Sequence, residues 1–190
     1  MALNNNYRIF YAIQQIAFAK EGLGTAAGHF TEAHGVQSVG ITTTFNLEQA
    51  FELGQLAIYE NIEGIPDIEV TIEKVLDGYP PIYCLATRGA TDTSLTGRQN
   101  TKTTAALSIF RDTMKAADGT ANRVSECYMS GLYVSSVGYT FPVDGNSTES
   151  VTLVGNNKLW RAVTAEGEFD ESTDDAPAAT TGVMRREDLS

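Results

Sequence analysis

A chain of 190 residues with 42% hydrophobic and 19% charged residues is long enough to close one hydrophobic core, and its composition excludes disorder over most of its length. Its 24 acidic against 13 basic residues, a formal net charge of −11, argue against ordinary nucleic-acid binding, which needs clustered Lys and Arg to meet phosphates. The same acidity suits a wall that DNA must slide past, where each favourable phosphate contact acts as a brake, and it also suits plain solubility. No run approaches the ~20 apolar residues that span a bilayer. Met1–Arg8 opens without a basic stretch or cleavage site, so synthesis in the cytoplasm and no membrane association are expected.

Taken in chain order, Tyr7–Ala19 is rich in β-branched and aromatic residues and reads as a strand, with a short helix as the alternative. Glu21–Gly35 is a Gly-, Ala- and Thr-rich connection, and loops of that length usually serve a function or gain order from a partner. Gly35–Asn46 and Phe51–Asn61 predict two strands. Ile68, Val70 and Ile72 alternate with Glu69, Thr71, Glu73 and Lys74, a half-buried strand by its period of two. Asp77-Gly78 supplies a turn, Pro80-Pro81 preset a short helix to about Thr87, and Gly89 is available to end it. Ala90–Thr101 reads as an exposed loop. Alternation resumes at Ala105, Leu107 and Ile109 and again over Val124–Thr140. Phe141–Asn146 forms a turn, and Val151–Trp160 is a last strand broken at Gly155-Asn156-Asn157. From Glu166 the chain is acidic and Ala/Thr-rich, with little apolar area to order itself.

Several motifs invite a chemical reading. Gly22-Leu23-Gly24-Thr25-Ala26-Ala27 matches a dinucleotide-binding pattern. That chemistry needs a helix directly behind the glycines, and Gly28, His29 and Gly35 interrupt one, so a loop is the better reading and no cofactor is expected. His29 and His34 flank Glu32 in the wrong order for a metalloprotease helix and read as surface histidines. Asp144, Asn146 and Glu149 offer oxygens but lack the spacing of a calcium loop, so a turn on Asp-Gly-Asn is expected and no metal. Asn146-Ser147-Thr148 is a formal glycosylation sequon with no signal peptide to use it. Cys84 and Cys127 sit in apolar contexts and read as buried small hydrophobes. No nucleophile motif is present, so no catalytic residue is assigned and an enzyme is not expected.

Val134–Trp160 resembles the C-terminal core of tail-tube proteins of tailed phages, and Pro66–Tyr83 resembles the middle of the same family. Together with the strands before them these blocks cover most of Gly35–Trp160. The resemblance implies a mainly β fold, a β-sandwich or barrel with a short flanking helix, forming hexameric rings that stack into a tube in the virion. It also implies sheath, baseplate and terminator proteins as partners, passage of double-stranded DNA through the lumen for genome delivery, and a contractile tail. The family has no catalytic residues to transfer. Residues 1–165 are then expected to form the tube domain, with an inter-subunit loop near 21–35, and 166–190 an acidic tail ordered by neighbours. Glu48, Glu52, Glu69 and Glu73 are candidate acids for a negative lumen. A carbohydrate-binding β-sandwich on a virion or cell surface is the alternative. It would expose an aromatic cluster, whereas Trp160 and the tyrosines lie in apolar runs that favour the core.

Overall fold

The clean alternation of residues 67–75 becomes strand β6 (Asp67–Val75) in a computed structural model that describes residues 14–20, 30–51, 53, 58–87, 98–110 and 123–162. Ile68, Val70 and Ile72 are buried, and Asp67, Glu69, Thr71 and Glu73 face out. The other strands are β1 (Gln14–Lys20), β2 (Thr31–Glu32), β3 (Val36–Thr44), β4 (Leu47–Phe51), β5 (Ile58–Glu63), β7 (Thr103–Phe110), β8 (Arg123–Thr140), β9 (Thr148–Gly155) and β10 (Asn157–Ala162). One short helix, α1 (Ile82–Ala86), follows β6. Every strand pairing is antiparallel.

At 18 residues β8 belongs to two sheets. Its first half lies between β7 and β10, and its second half, 133–140, pairs with β9. Val154 opposes Tyr133 and Asn157 opposes Ser130, one continuous register, so β9 and β10 are a single return strand kinked at Asn156. The bend in β8 falls at Gly131, whose φ of 67° is a left-handed conformation that side chains resist. The result is one bent sheet in the order β2-β1-β7-β8-β9-β6-β3. Its first arm holds β2, β1, β7, the start of β8 and β10, and its second arm holds β3, β6, β9 and the end of β8.

The arms fold towards each other over one core. Ile16 and Phe18 of β1, Leu107 of β7 and Met129 of β8 meet Val70 and Ile72 of β6 and Val151 and Leu153 of β9. Ile82, Leu85 and Ala86 of α1 complete the cluster. β2 and β3 end the sheet path at opposite extremes, yet only Ala33, His34 and Gly35 separate them in sequence. The sheet is therefore closed into a barrel-like form by a turn of the chain and not by a ladder of hydrogen bonds. Gly35 sits in that turn with φ of 74°, and a Cβ there would lie 2.5 Å from Oδ2 of Asp77.

The prolines start α1 as expected, with Pro81 at its N-cap. Its free N–H groups find an acceptor far away in sequence. The fully buried Glu149 carboxylate accepts from the N–H of Ile82 at 2.6 Å and of Tyr83 at 3.1 Å, and also from the hydroxyl of Tyr139 at 3.1 Å.

The expected single strand at Phe51–Asn61 is instead interrupted. β4 and β5 form a separate two-stranded hairpin with Leu53 in its turn, because exposed strands with mixed faces carry no clear period. Lys74 is fully buried, not on the polar face, and its ammonium meets Asp77 at 3.0 Å and the carbonyl of Pro80 at 3.1 Å. Trp160 is 51% exposed, against the expectation of a core residue, because β10 is an edge strand. Cys84 is exposed on α1, also against expectation, since a five-residue helix buries only the side carrying Ile82, Leu85 and Ala86. Residues 7–13, 21–29 and 166–190 lie outside the described residues, as do most of the loop at 90–101 and Glu52.

Replacing Glu149 with Ala strands one buried and one part-buried helix N–H group and should lower unfolding stability by about 3 kcal/mol. Urea titration followed by circular dichroism measures the loss. A change below about 1 kcal/mol would show that α1 does not depend on this carboxylate.

Candidate assembly surfaces

Cross-strand register sorts the second arm into two faces. On the inner face run the rows Val39–Ile72–Val151–Val137 and Ile41–Val70–Leu153–Val134. On the outer face run Ser38–Glu73–Ser150–Gly138 and Gly40–Thr71–Thr152–Ser136, followed by Thr42–Glu69–Val154–Tyr133. The outer rows are mainly hydroxyl and acid, with Gly40, Gly138 and an exposed Val154 among them, and contain no Lys or Arg. Among the described residues, Lys102 stands beside them, its ammonium 6.0 Å from the centre of the Tyr133 ring at the margin of the face. Glu69 and Glu73, two of the four acids singled out in the sequence, thus share this face. Glu48 is exposed on the separate β4–β5 hairpin.

Four alternating strands leave this arm with two open edges. Among the described residues, β3 pairs only with β6, and residues 133–140 of β8 pair only with β9. Such edges are templates for another chain unless they are covered. Apolar side chains are exposed at both ends of the same strands. Beyond Thr44 and Asp67 stand Phe45, Leu47, Leu53, Ile62 and Ile65 on and beside the hairpin. Asn46 anchors the hairpin root by donating to the carbonyl of Ile65 at 3.0 Å and to Asp67 at 3.1 Å. Beyond Thr140, Tyr139 stacks on Phe141 with ring centres 6.5 Å apart, and Val143 is exposed beside them. A soluble monomer rarely shows so much apolar surface, and two strands alone are marginally stable, so both features point to partners.

The residues weighed for chemistry do not converge. His34 stacks on Tyr79 at 4.2 Å and approaches Glu32 at 3.8 Å, while His29 lies outside the described residues. Asp144 and Asn146 are exposed on their turn, whereas Glu149 points into the core at α1. Among the described residues no three metal-ligating groups come together. The pKa of Tyr139 is held far above the usual phenol range, by burial first and then by the Glu149 carboxylate beside it. Burial pushes the Cys127 thiol up to about 11, with Lys158 pulling it the other way. Sequence reasoning missed the open edges and the two apolar ends. Phe45, Leu47 and Phe141 beside turn residues were the available signal.

No protein-family model and no curated protein matches the sequence. Solved structures do match. The tube-terminating cap of the anti-feeding prophage superposes with a TM-score of 0.58 at 11% identity, over 85% of this chain and 96% of that one. The sheath–tube complex of the PVC extracellular contractile injection system gives 0.56 at 11% identity, over 84% and 95%. The SPP1 tail tube gives 0.54 at 15% identity, over 82% and 80%. The chain has the tail-tube fold. The neighbours that share this tail-tube fold are components of tubular assemblies and not enzymes.

Within the tail-tube fold the two cysteines differ in surroundings, Cys84 exposed on α1 and Cys127 buried in the core on β8. A maleimide at neutral pH should modify Cys84 within minutes and leave Cys127 untouched until the protein unfolds, since the Cys127 thiol stays protonated until the pH nears its raised value. Mass spectrometry of the native and urea-unfolded protein counts the adducts. Two adducts on the native chain would contradict the burial of Cys127.

Proposed function

We propose that the chain is the structural subunit of a phage tail tube, polymerising into hexameric rings that stack around a channel for genome delivery. The observation that carries this reading is the open four-stranded arm. Its strands β3, β6, β9 and β8 alternate in direction, and their number is even. Cyclic repetition therefore brings β8 of one copy beside β3 of the next in the same antiparallel sense as every other pair. Each junction satisfies two open edges, and the closed ring has none.

In such a ring one face of the arm must line the channel, and the apolar face is already used by the core. The outer rows, with Glu69, Glu73 and their flanking hydroxyls, become the wall, and a negative wall without Lys or Arg gives phosphates nothing to grip. Sheath, baseplate and terminator proteins are proposed partners in a contractile tail. Neighbours from a sheath–tube complex, a baseplate and a sheath/tube terminator support this choice. The glycine-rich segment near 21–35 and the acidic residues 166–190 are assigned to contacts between subunits on composition. Rings of this kind bury on the order of 2,000 Å² or more between partners.

Negative-stain microscopy of the purified chain should show hollow tubes or rings, where a carbohydrate-binding module would show neither. The lining is tested separately by Thr71→Cys in a Cys84→Ser background. In assembled tubes this thiol should react with a small maleimide and resist a bulky polymer maleimide that unassembled protein accepts. Equal reactivity towards both reagents in intact tubes would place the hydroxyl and acid face outside.

A further inference from the structure

The barrel-like form leaves a cleft at its seam, where β1 and the start of β3 come together across the turn Ala33–Gly35. Its volume is about 420 Å³, and its walls include Gln15, Ile16, Leu107, Val36 and Val39. Ile16 and Leu107 belong to the buried core and Val36 and Val39 pack against it, so the cleft opens onto apolar surface that an apolar occupant would cover.

The ring geometry names that occupant, and the inference therefore rests on the tube reading above. Val36, Lys74, Glu149 and Tyr139 form one row across the arm. When β8 of a neighbouring copy pairs beside β3, its Tyr139 comes alongside the start of β3, offset from Val36 by the stagger that closes the barrel. The chain that follows, Phe141–Pro142–Val143, then overhangs the start of β3 and the mouth of the cleft. The sides agree as well. Tyr139 bonds Glu149 on the inner face and Phe141 stacks on Tyr139, and the inner-face residues Ile16, Val39 and Leu107 line the cleft.

We infer that the seam cleft is a socket for the Phe141–Val143 corner of the adjacent copy in the same ring. Phe141 is 56% exposed and Val143 71% exposed, apolar groups with no cover of their own. Each copy presents one corner and one socket on opposite sides, a head-to-tail contact that closes only as a ring.

The test uses the full chain with Cys84→Ser, carrying either Gln37→Cys at the cleft rim or Val143→Cys at the corner. Within one copy these positions lie three strand spacings apart, roughly 14 Å, beyond disulfide reach. Co-assembled tubes of the two variants should give disulfide-linked dimers on oxidation, and the double variant a ladder that stops at the ring number. Phe141→Ala should raise the concentration needed for assembly on the order of tenfold, with Phe141→Leu recovering part of the loss. Tubes of normal appearance that form no cross-link and assemble unchanged with Phe141→Ala overturn the socket while sparing the tube. A wild-type chain that remains monomeric at every concentration overturns both.

Discussion

The pairing of β8 with the continuous return strand β9–β10 is the interaction on which the rest of the structure depends. One register runs from Thr140 opposite Thr148 to Ser125 opposite Ala162, with a single irregularity between Val134 and Ser136. Among the described residues, that long hairpin is the only element common to both arms. Its twist, with the bend at Gly131 and the kink at Asn156, decides where each arm points. β7 and β1 attach to one half and β6 and β3 to the other, so the core between Met129 and Val151 exists because the hairpin bends. A straight hairpin would carry the same side chains on a flat sheet with one apolar face in water.

Much of the second arm was legible in the sequence because its strands have one wet and one dry face, whereas β1 and β7 are buried on both. Residues 67–73 alternate without exception, and the structure buries every second one. Parity explains Lys74 and Glu149 too, although both look like surface residues by type. Lys74 follows Ile68, Val70 and Ile72 at steps of two, and Glu149 precedes Val151 and Leu153 in the same way. A strict reading of the period places both inside, and reading by residue type loses them. The β4–β5 hairpin defeated the period because, among the described residues, it packs on no second layer: Leu47 pairs opposite Glu63 and Ile62 opposite Glu48, so each face is mixed. Trp160 was misplaced for a different reason. Its neighbours are strand-like, but nothing local says that β10 is an edge.

The charges fall into two populations with different physics. Lys74, Asp77 and Glu149 are partly or wholly removed from water, and each meets a specific partner: an ion pair, a carbonyl or a helix end. Such groups define geometry more than they add stability, since desolvation offsets much of the attraction. They tie α1 and the turn after β6 to the end of the second arm, the same end that carries Tyr139 and Phe141. Glu69 and Glu73 are exposed and unspecific by comparison. They act through the field of a surface and not through single contacts.

These two populations bear on a difficulty that any ring-forming β protein faces before it assembles. A free copy shows two open strand edges and apolar groups at both ends of the same strands, which is the recipe for uncontrolled aggregation. The antidote is specificity of geometry. The edge of β3 is flanked by a cleft that demands a particular corner, and the edge of β8 ends in that corner, so an incoming chain must match along its backbone and at its tip together. A formal charge of −11 adds a general repulsion that a mismatched encounter does not overcome. The same charge weakens correct contacts, and salt screens it over a length of roughly 8–10 Å. Ring assembly is therefore expected to be favoured as ionic strength rises, opposite to the salt dependence of a complex held by ion pairs.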